Sequence, residues 1–184
     1  SAASDVYKRQ ADWHIKLGQK NVPMSWACSR YELFFQQVEE AAGDGDEHAG
    51  QREHRDVLAV WQWLQDTKDV EPERIGAVGI SMGAGAVTIA FEQEPRLQSV
   101  FLESPYSSMG NVIEEELVFA GFPTFLKDAA LFAGKVSSGD NLVKYEPIDA
   151  MNVVGNRSVY ITHSLEDVRI NSYHGVAMCD AARS

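Results

Sequence analysis

Arg74-Ile75-Gly76-Ala77-Val78-Gly79-Ile80-Ser81-Met82-Gly83-Ala84-Gly85-Ala86 is the stretch on which the reading of this chain turns. Within it, Gly79-Ile80-Ser81-Met82-Gly83 has the G-x-S-x-G spacing of a sharp strand-to-helix turn that lifts a serine hydroxyl above a parallel sheet. The spacing has a steric origin. A side chain two residues either side of the serine is expected to collide with the neighbouring strand or helix, and glycine removes the collision because it has no Cβ. Ile75, Val78 and Ile80 predict a short strand buried on both faces, as parallel sheets require. Met82 to Glu92 is helix-compatible, and Pro95 stops it.

The start of that helix would present free N–H groups and positive dipole character to a developing oxyanion. The same string also fits a Gly/Ser-rich turn in some other α/β protein. A dinucleotide fingerprint fits less well: the G-x-G-x-x-G frame from Gly83 meets Thr88 where its third glycine should stand.

Working outward, Asp56 to Leu64 places Val57, Val60, Trp61 and Leu64 on one face of an amphipathic helix. Ser99 to Leu102 reads as a second buried strand, closed by Glu103-Ser104-Pro105. Ser158 to Thr162 reads as a third, ending in the polar turn His163 to Asp167, and Ser172 to Ala182 as one more helix. Strands alternating with helices predict an α/β fold with a mostly parallel sheet.

Between the second and third strands, Gly110 to Gly121 and Phe125 to Ala133 read as helices and Ser137 to Asp140 as a turn. This cap-like insertion, about residues 106–150, would lie over the C-terminal edge of the sheet, where ligands bind in such folds. Its run Glu114-Glu115-Glu116 reads as a solvated helix face.

The chain has 184 residues, 45% of them apolar, enough for one domain with a core. A net charge of −11 argues against nucleic acid and anionic membranes as partners, and no apolar run approaches a membrane span. Cys28 and Cys179 have no framework spacing and read as free thiols in a reducing, cytoplasmic compartment. Tyr31 to Phe35 is a candidate strand, and Glu39 to Arg52 a polar loop. Calcium has no support there: counted from Asp44, position six is Ala49 and position twelve Arg55. His48 and His54 lack helical i, i+4 spacing for zinc. No metal and no organic cofactor is expected. Asp5-Val6-Tyr7-Lys8-Arg9-Gln10 matches one reading frame of a sequencing-library adaptor, so residues 1–10 are expected to be a scar on a gene fragment and 11–184 a single domain.

The ordered series Gly50 to Asp56, Trp63-Leu64, Arg74-Ile75-Gly76 with the serine turn, Ser104-Pro105-Tyr106, Pro147, Ala150 and His163 to Asp167 resembles the α/β-hydrolase superfamily, in particular its bacterial serine aminopeptidase- and esterase-like members. The resemblance covers roughly Gly43 to Ser184 and implies an incomplete α/β-hydrolase fold. It implies a nucleophile, an acid and a histidine in that chain order. Ser81 matches the nucleophile and Asp167 the acid, with Glu103 a competing strand-end carboxylate and Glu166 adjacent but pointing elsewhere. The backbone N–H of Met82 matches one oxyanion donor. His14-Ile15-Lys16-Leu17-Gly18 stands where the second is expected but lacks the usual His-Gly pair.

His163 precedes the acid. His174 follows it by seven residues with no strand between, and reads as a surface helix histidine. The triad histidine is therefore expected beyond Ser184, and the 184-residue chain to be a poor catalyst. The implied activity is serine-dependent acyl transfer on a small-molecule ester, thioester or amide; the alternative is a non-catalytic binding module on the same fold.

Overall fold

The structure, a computed structural model, describes residues 51–68 and 70–183. The candidate strand at Tyr31 to Phe35, the loop around Asp44 and the stretch His14 to Gly18 lie outside the described residues.

Helix α1 (His54–Lys68) leads through a 3₁₀ turn (Pro72–Arg74) into β1 (Gly76–Ile80), followed by α2 (Met82–Gln93) and β2 (Ser99–Glu103). The insertion holds α3 (Met109–Phe119), a 3₁₀ turn (Thr124–Leu126), α4 (Lys127–Ser138) and the short α5 (Pro147–Met151). Strand β3 (Ser158–Thr162) and α6 (Tyr173–Arg183) follow. Among the described residues the sheet is three-stranded, in the order β1-β2-β3, and parallel throughout. The register is unshifted: Ile80 pairs with Glu103, and Glu103 with Thr162. The three strands therefore end level, and whatever follows each is delivered to the same edge.

Helix α2 organises the core. Its segment Ala84 to Phe91 is buried without interruption, because α2 packs on β1 and β2 while α1 and α5 close on its other sides. A helix apolar all round is the expected consequence of such a position. Val57, Val60 and Trp61 of α1 are buried as the helical spacing predicts, whereas Leu64 is half-buried.

The strands depart from the expectation of burial on both faces. Ala77 and Gly79 of β1 and Val100 and Leu102 of β2 are buried, but Val78, Ile80 and Phe101 are only half-buried and Tyr160 is 66% exposed. Successive side chains alternate between faces, so α2 covers one face. Among the described residues nothing covers the other comparably. The insertion is also thinly packed: α4 buries none of its residues, and Phe119, Phe122, Phe125 and Phe132 stand in solvent. It is more helical than expected, α4 running on to Ser138 before Gly139 (φ 74°) ends it.

Candidate active site

Ser81 sits between β1 and α2 with φ 53° and ψ −117°, a conformation that a side chain disfavours. Its N–H still belongs to the sheet, donating to the Glu103 carbonyl at 2.8 Å. Its own carbonyl already belongs to the helix, accepting from Ala84 N at 3.0 Å. One residue thus closes the strand and opens the helix, and the strain is the cost of doing both. The Ser81 side chain caps no helix N–H. Met82 is the first residue of α2, so its N–H has no acceptor within the helix.

The two glycines of the motif are not equivalent. A Cβ on Gly79 would lie 2.5 Å from the Gly83 carbonyl oxygen and 2.6 Å from Ala84 Cα, so α2 folds directly back over the strand there. A Cβ on Gly83 would meet nothing within 4 Å. The expected collision therefore exists on the strand side alone, because Gly83 already lies in the first turn of the helix.

Asp167 follows β3 in a tight polar turn. Its Oδ1 accepts the N–H groups of Arg169 (2.9 Å) and Ile170 (3.0 Å). Burial alone would push its carboxyl up. The Ile170 and Arg169 amides, the neighbouring Ser104 hydroxyl and the nearby His163 outweigh that and hold it below the ordinary carboxylate value. Neighbouring Glu166 is exposed. Glu103, the other strand-end carboxylate, is half-buried beside the serine turn.

Three of the five histidines lie among the described residues, and none hydrogen-bonds Ser81. His54 is buried on α1, edge-on to Tyr145 with ring centroids 5.1 Å apart. His163 Nε2 donates to the Ile170 carbonyl at 2.8 Å and lies 3.7 Å from Asp167 Oδ2, fastening the Asp167 turn to the end of β3.

His174 is not the surface residue expected from its place on a helix; it is fully buried. Its Nδ1 accepts the Ser107 N–H at 3.1 Å and lies 2.7 Å from Ser107 Oγ, so the proton is on Nε2, facing Glu115 Oε2 at 3.4 Å. Burial holds its pKa below the ordinary value, against the opposing pull of Glu115. Both ring nitrogens are engaged in pinning α6 to the segment after β2 and to α3.

The triple glutamate run likewise differs from a solvated face. Glu114 pairs with Lys127 at 2.9 Å, Glu115 faces His174, and Glu116 pairs with Arg169 at 2.9 Å. Successive residues splay around a helix, so three adjacent carboxylates reach three different elements: α4, α6 and the Asp167 turn. The signal was the run itself, read without the partners that lie 13 to 59 residues away. A cleft of about 560 Å³ opens along this helix, lined by Asn111, Glu114, Glu115, Val118, Phe119 and Tyr173.

A parallel sheet with a strained serine on a strand-to-helix turn and a hydrogen-bonded aspartate after a later strand defines an α/β-hydrolase fold. The chain belongs to the prolyl oligopeptidase family, which it matches over residues 39–184. Two solved structures of Pyrococcus horikoshii acylaminoacyl peptidase have the same fold. The orthorhombic form gives a TM-score of 0.52 at 21% identity, covering 73% of this chain and 21% of that one. The uncomplexed form gives 0.50 at 21% identity, covering 73% and 22%. The chain thus spans about a fifth of the length of either. No curated protein sequence matches it.

Family membership supports serine hydrolase or peptidase chemistry. Among the described residues, no group of three His, Cys, Asp or Glu side chains is placed to hold a metal ion, and no helix is long and apolar enough to cross a membrane.

Proposed function

We propose that this chain carries the nucleophile and the acid of a serine hydrolase acting by acyl transfer on an ester, thioester or amide, the family favouring a peptide amide. The observation that carries this reading is the backbone of Ser81, strained as a nucleophile on such a turn must be, with Asp167 delivered to the same sheet edge two strands away. Parallel strands lie about 4.8 Å apart, so the files of Ser81 and β3 are separated by about 10 Å. A hydroxyl, an imidazole and a carboxylate joined by two hydrogen bonds span roughly 8 Å between the outer oxygens. The gap therefore has room for a histidine, which the described residues do not supply.

In this mechanism Ser81 Oγ attacks the carbonyl carbon while the histidine takes its proton. The Met82 N–H stabilises the tetrahedral oxyanion, and Asp167 holds the imidazole in the tautomer that can accept. Collapse of the intermediate expels the amine, alcohol or thiol, which receives that proton, and water then releases the acyl group from Ser81. No cofactor enters the scheme.

The test is labelling of the native gene product with an active-site fluorophosphonate. Modification is expected at Ser81, and Ser81→Ala should abolish both labelling and hydrolysis, a loss of about 10⁴–10⁶ in rate. Labelling unchanged by that substitution would move the nucleophile elsewhere. No labelling and no hydrolysis in the native gene product would favour a non-catalytic binding module on this fold.

A further inference from the structure

Asn111, Glu114, Glu115, Val118 and Phe119, which line the cleft along α3, follow the i, i+3, i+4, i+7, i+8 spacing and form one face of that helix. The face changes character along its length. An amide and two carboxylates stand towards its start, a valine and a phenylalanine at its end. Tyr173, the first residue of α6, completes the lining. Its ring is stacked on the buried His174, with centroids 4.2 Å apart and planes 27° from parallel, and is held in that orientation.

The charges on this face do not cancel. Glu114 pairs with the Lys127 ammonium at 2.9 Å, so the face already holds one cation of the chain itself. Glu115 makes no ion pair with a lysine or arginine among the described residues. It faces the His174 imidazole, which is neutral because its Nδ1 accepts the Ser107 N–H. Tyr173 is neutral as well, burial and the neighbouring Glu115 pushing its hydroxyl up to about 12. One carboxylate without a cation thus stands in a cleft of about 560 Å³, a volume within the range of small-molecule sites. One helical turn away, about 5–6 Å between Cβ atoms, Val118 and Phe119 are 60% and 76% exposed. A four-carbon stem carrying a charge bridges that span, its apolar body covering the two side chains while its head reaches the acid.

We propose that this cleft binds a basic side chain of the substrate, a lysine- or arginine-like cation on an aliphatic stem, with the charge on Glu115 and the stem over Val118 and Phe119. That the bound molecule is a substrate rests on the serine hydrolase reading; the cation site itself does not. The cleft borders the Asp167 turn. Asp167 Oδ1 accepts the Arg169 N–H, the Arg169 side chain pairs with Glu116 next to Glu115, and Tyr173 follows Asp167 by six residues. The net charge of −11 draws the same class of molecule towards the chain.

The experiment titrates the Ser81→Ala form of the native gene product by calorimetry with Nα-acetyl-lysine methylamide and with Nα-acetyl-norleucine methylamide, which lacks the ammonium. The lysine probe is expected to bind about tenfold more tightly, as one hydrogen bond to a charged group provides, and the preference should shrink at high salt. Glu115→Gln keeps an acceptor for His174 and should bring the two affinities within about twofold. Equal affinities in the parent protein, no binding of either probe, or a preference that survives Glu115→Gln overturns the proposal. Phe119→Ala should weaken both probes and keeps the cleft testable if Glu115→Gln fails to fold; affinities that it leaves unchanged also overturn the proposal. With Ser81 intact, a kcat/KM preference for a lysine over a norleucine amide of the same size supports the substrate assignment, and equal values overturn it. Lysine-selective binding without fluorophosphonate labelling or hydrolysis would overturn the serine hydrolase reading and leave the cation site standing.

Discussion

Gly85 of α2 lies against the ring of Tyr106, so closely that a Cβ on the glycine would overlap the phenol, at Oη, Cζ and Cε1 together. Tyr106 is itself buried, and burial raises its hydroxyl pKa well above the ordinary value. The contact packs the first turns of the elbow helix against the segment that leaves β2, one residue past Pro105. It links the helix that follows Ser81 to the neighbour of the strained Ser104.

Gly85→Ala is therefore expected to destabilise. Alanine gains about 1 kcal/mol of helix propensity over glycine. Overpacking against a buried ring costs about 1–3 kcal/mol, and here three atoms of one stiff side chain are in the way. Urea unfolding should show a net loss. A smaller cost of Gly85→Ala in a Tyr106→Ala background than in the wild type would place the cost in this contact, and an equal cost would place it elsewhere.

The two motif glycines should respond in opposite senses. Gly79→Ala would drive a Cβ into the backbone of Gly83 and Ala84, which cannot swing aside as a side chain can. A loss of about 3 kcal/mol is expected, at the upper end for overpacking. Gly83→Ala fills open space in the first turn of a helix and should be neutral or stabilising by up to about 1 kcal/mol. Equal losses at both positions by chemical denaturation would contradict the asymmetric elbow.

Stability should fall as the pH drops through the range where a free histidine takes up a proton. His174 has its pKa held below the ordinary 6.5 by burial, despite Glu115. The unfolded chain therefore binds the proton first. The contribution is complete above that range and declines below it, by at most about 1.4 kcal/mol per pH unit. His174→Gln should remove this slope and cost about 1–3 kcal/mol at pH 7.5 through the polar groups it leaves unpaired. Urea midpoints that decline equally in wild type and variant between pH 7.5 and 5.5 would assign the slope to another group.

A second, more acidic window belongs to Asp167. Its folded carboxyl titrates below the ordinary 3.8. Its contribution is thus present above that value and lost as the pH falls through the lower, folded one. Asp167→Asn should flatten this limb of the acid-unfolding curve while leaving the His174 window intact. A variant curve that superimposes on the wild type below pH 4 would show that the ionisation of Asp167 contributes nothing to folding.

Much of this architecture is local and so was legible in the sequence. The short apolar runs at 76–80, 99–103 and 158–162, each bounded by polar or turn residues, specify strands within a few positions of sequence. The spacing of Val57, Val60 and Trp61 specifies α1 in the same way. The elbow too was local, since Gly79, Ser81 and the helix start lie within one turn of each other, and so was the place of Asp167 in the polar turn after a strand. Even there the symmetric role given to Gly83 was a matter of geometry that no string of letters contains.

Tertiary structure decided whatever depends on partners far along the chain. Nothing local marks His174 as buried, because its burial comes from Ser107 and Glu115, 67 and 59 residues away. The glutamate run looked solvated because its counter-charges on Lys127 and Arg169 are brought to it only by α4 and the Asp167 turn. Apolar strands implied a sheet buried on both faces, yet burial is set by which helices pack on which side, and among the described residues α2 covers one. The placing of Ser81, Ser104 and the turn of Asp167 along one sheet edge is of the same kind. It exists because parallel pairing in unshifted register ends three strands level, a condition imposed by the sheet as a whole.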